Sequence, residues 1–600
     1  MKQIIQNIFK HTCYVCAGLL LVSCGDFLEI TPRDIVTENN FWDEKKDVDQ
    51  MVTGCYTAMQ NAAFMNRCIV WGEVRGKDVD GRSDISGFDD LYQALVNNLL
   101  PSNQFTDWSS FYHVINKCNT IIRMAPEVHE KDPAYRQSDM QATIAEMTAL
   151  RSLCYWYLIR TFDAVPFYRE SVQQEDEVHY LAPSSFDNVL NELITDLESV
   201  KASALDHYPS SNDDGDLATY NSNCNRITRS AINAMLCDMY LWRGDYDKVI
   251  ACGDEILKVK KRDFEKNYNG TMMGSSYAPE AIAASSGNFT AYLYRSTSTD
   301  PNNAFNAIFG VGNSYESIFE LSFNNTGLTS PYIKSTALAE MYGSGNGDKK
   351  YGVVNDGFGY LRPVSDLVNE AQGASGKWSV FRNFYDTRYF CSMRVDDGYN
   401  EGVIRKGMAY RFAVFVDGDK FINYVSSTGQ SPFLLHSIDD RNWIFYRLTD
   451  VLLMQAEAYM MKSTSDPTSE TNLDLWAKAF DRIEVVSNRS VTNPSSQLKN
   501  THVATRDRGM LQELLRNERR AELLFEGKTW YDMLRYCRQS GYDMGDLNSV
   551  PAKCGSRSSS KPFPSWAHVF WPYNKDEVKK NPNLTQKGIY QQGDDEEEDS

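Results

Sequence analysis

Two glutamates one helical turn apart, Glu518 and Glu522, are the first residues whose type and spacing could do chemistry. Two carboxyl groups about 5–9.5 Å apart across a glycosidic bond can hydrolyse it. Both, however, share a helical face with Leu511, Leu514 and Phe525, and Arg516, Arg519 and Arg520 lie within helical reach. A structural ion-pair network accounts for them better than catalysis does. Gly527-Lys528-Thr529 matches the end of a phosphate-binding loop, but the upstream glycine such a loop requires is Glu522, within a helical pattern. The eight histidines form no HExxH and no pair at helical ligand spacing, which argues against a catalytic zinc. Acid pairs such as Asp89-Asp90 and Asp396-Asp397 read most simply as turn residues. No enzyme activity and no cofactor are expected, and a structural Ca2+ stays open.

What remains is binding, which needs a scaffold. Over residues 141–160 the apolar positions Ile144, Met147, Leu150, Leu153, Cys154, Tyr157 and Leu158 follow the spacing of an amphipathic helix. Ala231, Met235, Leu236, Met239 and Trp242 repeat it and stop at Arg243-Gly244-Asp245, and a second helix starts near Tyr246. This helix–turn–helix unit resembles a tetratricopeptide repeat, in which each pair buries its face on the next. Residues 140–162 with 186–200, and 445–461 with 474–486, suggest similar pairs. The middle, 261–440, differs: it holds 19 of the 36 glycines and alternates short apolar runs with Gly, Ser and Asn. Ser317-Ile318-Phe319-Glu320-Leu321-Ser322-Phe323 reads as a strand, and Gly343-Ser344-Gly345-Asn346-Gly347 as a loop.

Composition narrows the partners. Across 600 residues, 61 Lys and Arg face 80 Asp and Glu, a net charge of -19, which lacks the basic footprint a nucleic-acid binder needs. The aromatic content of 12% rules out a disordered chain. Lys2 and Lys10 supply a positive segment ahead of a short apolar run over residues 13–22, too short for the roughly 20 residues a bilayer span takes. The run ends in Leu21-Val22-Ser23-Cys24 before Gly25, the pattern of a bacterial lipobox, with Cys24 as the lipid-attachment residue. Cys118, Cys154, Cys237 and Cys252 sit in helical apolar patterns and read as core. Residues 594–599, six consecutive acids, read as a solvated tail.

Several ordered motifs resemble one family. Cys24-Gly25-Asp26-Phe27-Leu28-Glu29 with Pro32, then Phe41-Trp42 and Gly54-Cys55-Tyr56, are similar to the mature start of SusD/RagB nutrient-binding outer-membrane lipoproteins of Bacteroidetes. Trp108, Tyr112, Ile115 and Asn119 fit its W-x3-Y-x2-I-x3-N pattern, and Ala145-Glu146 with Leu150-Arg151 the helix that follows. Glu316-Ser317-Ile318-Phe319-Glu320, Tyr446-Arg447-Leu448-Thr449-Asp450, Glu518-Arg519 with Phe525-Glu526-Gly527, and Trp571-Pro572 with Asn581-Pro582 continue the match in order. Lys528, Glu484 and Asn488 depart from it, as does Pro572-Tyr573-Asn574.

The resemblance implies a mainly α fold, a tetratricopeptide-like helix-pair scaffold with a loop-rich, short-strand insertion. The expected division is a signal peptide 1–23, helical regions 24–260 and 441–590, the irregular subdomain 261–440 and a tail 591–600. It implies a lipid-anchored protein on the cell-surface side of the outer membrane that captures oligosaccharide, or in some members peptide, for a TonB-dependent SusC-like transporter. A surface hydrolase is the weaker alternative.

Sugar capture asks for flat aromatic faces beside planar hydrogen-bonding groups. Trp156, Trp242, Trp443, Trp476 and Trp530 fall in helical stretches and read as core, and Trp42 and Trp108 as structural. Trp71, Trp378 and Trp566 remain as loop candidates, with Tyr292, Tyr294, Tyr332 and Tyr342 in the middle. The resemblance directs attention to residues 71–103 and 280–380. The expected ligand contacts are Trp71, Arg75, Asp78, Asn98, Asn103, Tyr332 and Trp378.

Overall fold

The computed structural model describes residues 41–593, except 83–84, 173–176, 178, 209–222, 268–277, 299–302, 311, 324–335, 343–358, 368–379, 382–384, 396–401, 405, 407–413, 418–419, 424–440, 501–506 and 555–559. The lipobox with Cys24, the run 594–599, Tyr332 and Trp378 lie outside the described residues.

Helices dominate. The N-terminal half places α1 (Lys45–Met59), α2 (Ala62–Ile69), α3 (Ser109–Lys131), α4 (Gln137–Phe162), α5 (Phe186–Val200), α6 (Arg229–Arg243) and α7 (Tyr246–Asn267). The C-terminal part adds α8 (Leu448–Lys462), α9 (Glu470–Asn488), α10 (Arg508–Leu523) and α11 (Thr529–Gln539). Neighbours in sequence pack as pairs: α3 on α4, α6 on α7 and α8 on α9, while α4 also meets α5 and α7 meets α8. The mainly α, helix-pair architecture is the expected one.

Residue chemistry explains the central elements. Every residue of α4 from Ala145 to Phe162 is buried, as a helix enclosed on all sides requires. Its charged members are therefore paired: Glu146 Oε1 and Oε2 accept from Arg226 at 2.8 and 2.6 Å, and Arg151 Nη2 donates to Asp196 at 2.9 Å. At the end of α6, Gly244 takes φ +89° and donates its N–H to the Tyr240 carbonyl at 2.8 Å, a left-handed cap that glycine adopts without steric cost. That turn sets α7 back along α6, and Trp242 meets Trp156 of α4 edge-to-face, centroids 5.5 Å apart.

The strands are short. Among the described residues they form six two-stranded antiparallel ribbons. Four strands matter here: β1 (Val79–Gly81), β2 (Ser317–Leu321), β3 (Leu361–Pro363) and β4 (Trp443–Arg447). β2 pairs with β4, stacking Phe319 on Phe445 at 5.1 Å. Two expectations are corrected. The helix expected from residue 445 starts at Leu448, because Trp443-Ile444-Phe445-Tyr446-Arg447 is rich in β-branched and aromatic residues and finds β2 as a partner. The helix α7 runs past 260 to Asn267, so the boundary drawn there falls inside a helix.

Candidate ligand-binding site

Residues 71–103 are expected to expose ligand contacts on a loop. Their first part is helical instead: α2 continues through a π-helical turn, Val70–Val74, that carries Trp71 into the core. The Trp71 ring is fully buried, 4.9 Å from Phe111 and 5.3 Å from Phe162, and its Nε1 donates to the Phe105 carbonyl at 2.9 Å. Arg75 is buried between the Trp530 and Phe563 rings, each 4.9 Å from its guanidinium carbon. It donates to the Val569 carbonyl at 2.5 Å and to Asn97 Oδ1 at 3.1 Å, and burial lowers its guanidinium to about 10. Asp78 is buried, accepting from Thr529 Oγ1 at 3.0 Å and paired with Arg520. Asn103 caps a 3-10 turn, its Oδ1 accepting from Phe105 N at 3.0 Å and its Nδ2 donating to the Asp90 carbonyl at 2.8 Å.

Trp71, Arg75, Asp78 and Asn103 are therefore corrected from ligand contacts to internal fasteners. The physical reason is that the segment threads between α3, α4 and the C-terminal part, where polar side chains must be satisfied inside the protein. Asn98 is exposed, with Oδ1 accepting from Lys561 Nζ at 2.7 Å. Of the other aromatic candidates, Tyr294 and Tyr342 are buried, and Tyr292 and Trp566 are half-buried. Trp443, expected as a helical core residue, is a core residue on β4.

The two stretches expected to share a ligand do meet. β1 pairs with β3, in register from Val79 opposite Pro363 to Gly81 opposite Leu361. Beyond it, Arg82 N–H donates to the Tyr360 carbonyl at 2.9 Å, and the Phe88 ring lies over Tyr360 with centroids 4.2 Å apart and planes at 60°. Phe88 is 37% exposed, so a large apolar face meets solvent where the N-terminal helices join the glycine-rich middle. Polar groups follow: Asp89 is exposed, and Asp90 Oδ2 accepts from Gln104 Nε2 at 3.0 Å. An exposed aromatic face beside carboxylate and amide groups can stack an apolar ring face and read hydroxyls. Phe88 and Tyr360 were missed. The available signal was a lone phenylalanine in Ser86-Gly87-Phe88-Asp89-Asp90, where no core periodicity calls for one.

A second cleft, about 730 Å³ beside α1 and α4, is lined by Tyr56, Glu146, Tyr208 and Arg226 among others. Its floor is self-paired, with Tyr56 Oη donating to Glu146 at 2.7 Å and Arg226 stacked 3.9 Å over Tyr208.

The enzyme-like motifs resolve into structure. Gly527 takes φ +73° in the turn between α10 and α11, where a Cβ would come within 2.7 Å of the Trp443 ring. The amides that a phosphate would need are occupied: Gly527 and Lys528 N–H groups donate to Glu73 Oε1 at 2.7 and 3.2 Å. Glu518 and Glu522 are buried in an ion-pair network. Glu522 accepts from Arg447 at 2.5 Å and Arg388 at 3.1 Å, and also pairs with Arg489. Burial raises the Glu522 carboxyl, but Arg489, Arg447, Arg388 and Lys406 outweigh it and hold it well below the usual carboxylate range. Among the described residues, no group of three or more His, Cys, Asp and Glu side chains could hold a metal ion.

Comparison with known proteins gives one consistent answer. A model of the SusD family matches residues 420–590. The SusD-like protein P38 of Formosa agariphila is 22% identical over 588 residues, spanning 95% of this chain and 96% of that one. The SusD-like protein P2 of the same organism is 21% identical, over 87% and 89% of the two chains. Among solved structures, a SusD superfamily protein of Bacteroides thetaiotaomicron superposes with a TM-score of 0.62 at 16% identity, covering 92% of this chain and 99% of that one. A laminarin-binding SusD-like protein gives 0.57 at 17% identity, covering 91% and 100%.

Proposed function

We propose that this chain, which belongs to the SusD/RagB family, is a glycan-binding protein of the outer-membrane surface that captures oligosaccharides and delivers them to a TonB-dependent SusC-like transporter. The observation that carries the glycan reading is the β1–β3 junction. It sets the exposed Phe88 ring on Tyr360 beside Asp89, Asp90 and Gln104, the combination a pyranose needs. The laminarin-binding relative of similar fold supports the same ligand class. Binding is the whole mechanism in this reading. The apolar C–H face of a sugar ring covers Phe88, hydroxyls replace water on the neighbouring polar groups, and no bond is broken. Glu518 and Glu522, the pair most like glycosidase carboxylates in the sequence, are locked by arginines inside the protein.

Attachment through a lipid on Cys24 suits a chain in which no described helix is long and apolar enough to cross a membrane. Calorimetric titration of the full chain with laminari-oligosaccharides, other neutral glucans and a peptide panel tests the ligand class. Saturable glycan binding that Phe88→Ala weakens is expected. Peptide binding with no glycan binding would transfer the chain to the family's peptide-capturing role. Co-purification of a TonB-dependent transporter from outer membranes tests the partner.

A further inference from the structure

Away from the Phe88 face, a cleft of about 280 Å³ opens between α10, α11 and the segment that leads into β1. This size is near the lower bound of about 300 Å³ for small-ligand pockets, enough for one sugar unit. One stripe of α10 faces it: Gln512, Glu513, Arg516, Asn517 and Arg520 recur at the three- and four-residue spacing of a helix surface. Lys77 and Tyr536 complete the lining used here.

Charges at the cleft balance in number but not in pairing: Lys77, Arg516, Arg519 and Arg520 meet Asp78, Glu513, Asp532 and Asp546, and Lys77 and Glu513 are left over. Arg516 Nη1 donates to Asp546 at 2.8 Å, Arg519 Nε to Asp532 at 2.7 Å, and Arg520 pairs with Asp78. Lys77, half-buried, has no hydrogen bond or ion pair among the described residues. Burial, then Arg520 and Arg516 nearby, push its ammonium below the usual lysine range against the opposing pull of Asp78 and Asp546. Donors are left over as well: Arg516 Nε and the Tyr536 hydroxyl are buried without a partner. A buried polar atom without a partner costs about 1–3 kcal/mol, so a ligand that satisfies it gains affinity. The side-chain amides of Gln512 and Asn517, planar groups of the kind that read hydroxyl pairs, make no hydrogen bond among the described residues. Glu513, exposed, has no ion-pair partner among the described residues.

We infer that this cleft is a second saccharide subsite, specific for a sugar unit that carries an oxyanion, with Lys77 and Arg516 holding the anion and Gln512 and Asn517 reading the adjoining hydroxyls. The inference rests on the glycan reading for the sugar, whereas the anion follows from the unpartnered donors Lys77, Arg516 Nε and the Tyr536 hydroxyl. It stands against the bulk charge of the chain, -19, since a protein this acidic repels anions except where cations are concentrated. A hexuronate carboxylate and a sulfate ester present the same chemistry to the cleft.

The test titrates the full chain with trigalacturonate against its neutral methyl ester, with a sulfated galactan trisaccharide against its desulfated form, and with sodium sulfate alone. Binding of at least one acidic saccharide about tenfold tighter than its neutral counterpart is expected. Lys77→Gln should remove that preference with the melting temperature unchanged, Lys77→Arg should restore it, and Glu513→Gln should strengthen it two- to threefold by relieving repulsion. Preference for the carboxylate or for the sulfate identifies the source. Equal binding of acidic and neutral forms, or a preference that survives Lys77→Gln, overturns the inference and leaves glycan binding at Phe88 standing. Lys77-dependent sulfate binding with no affinity for any saccharide would keep the anion pocket and overturn its assignment to sugars.

Discussion

Arg388 Nη1 donates to Glu518 Oε1 at 2.5 Å across 130 residues of sequence, and both side chains are buried. The contact ties the glycine-rich middle to α10. Arg388 Nη2 also reaches Asp386 Oδ2 at 2.8 Å, and the network extends through Glu522 to Arg447 and Arg489, which in turn holds Glu316 at 2.8 Å. Residues from the N-terminal side of β2, the middle, β4, the C-terminal cap of α9 and α10 thus share one buried set of charges. A carboxylate so placed is a fastener: it is buried from solvent and tied to arginines from other elements.

Removing one partner of this network should cost more than the contact is worth, because it strands a charge. Arg388→Met is expected to lower unfolding free energy by about 3–5 kcal/mol in urea titrations. Adding Glu518→Leu should recover part of that loss, since the second charge is then no longer stranded. A loss under about 1 kcal/mol for Arg388→Met would mean that water reaches the network.

The sequence made the helix pairs legible because α4 and α6 carry apolar residues at helical spacing, and Gly244 marks the turn between α6 and α7 without ambiguity. It also marked Glu518 and Glu522 as ion-paired, but named the wrong arginines. Arg516, Arg519 and Arg520 are near in sequence yet turn to Asp546, Asp532 and Asp78, while Arg388, Arg447 and Arg489 arrive from other elements. Local spacing reports which face a residue occupies, never which distant element covers that face. The same limit explains Trp71 and Arg75: a Gly-containing stretch with mixed polarity reads as a loop, and only the packing of Gly72 against Gly527 shows that it is a buried helical wedge. A Cβ on Gly72 would lie 2.6 Å from the Gly527 carbonyl carbon, so the two backbones touch.

Trp71 and Phe88 should separate stability from binding. Trp71→Ala empties a fully buried site and breaks the bond to Phe105, for an expected loss of about 3–5 kcal/mol in unfolding free energy. Its folded fraction should retain the wild-type glycan affinity. Phe88→Ala removes a partly exposed ring, so stability should change within about 0.5 kcal/mol while glycan affinity falls about tenfold, or about 1.4 kcal/mol. Calorimetric titration beside thermal melts checks both, and the opposite pattern would move the ligand face to the region of Trp71.

Cys24→Ala tests the proposed lipid anchor. Several acyl chains on one cysteine hold a protein to a bilayer at about 0.8 kcal/mol per buried methylene, and loss of the acceptor thiol removes all of them at once. The variant should move from the membrane pellet to the soluble fraction after cell lysis. Continued pelleting would show that contacts with a membrane partner, rather than lipid, retain the chain.

Glu73 makes the pH dependence of the fold testable. Burial, followed by the nearby Asp78, raises its carboxyl from 4.5 to about 8, while the Gly527 and Lys528 amides pull the other way without prevailing. Its Oε1 accepts both amides, but its Oε2 is buried with no partner, so charging this group inside the protein is unfavourable. With a folded value above the unfolded one, the contribution of Glu73 to stability is fully present below about pH 4.5 and is lost as pH rises toward 8. Over that window the folded protein holds one more proton than the unfolded chain, and stability falls by up to about 1.4 kcal/mol per pH unit from this group. Glu522 acts in the opposite sense: its depressed carboxyl stabilises above its unfolded value and loses that effect only as pH falls into the acid range. Glu73→Gln keeps an oxygen to accept the Gly527 and Lys528 amides and cannot ionise. Urea titrations between pH 5 and 8 should therefore show a declining stability for the wild type and a flatter profile for Glu73→Gln, with the two curves diverging toward pH 8. Parallel curves would mean that Glu73 is already ionised in the folded protein, with its charge balanced by the Gly527 and Lys528 amides.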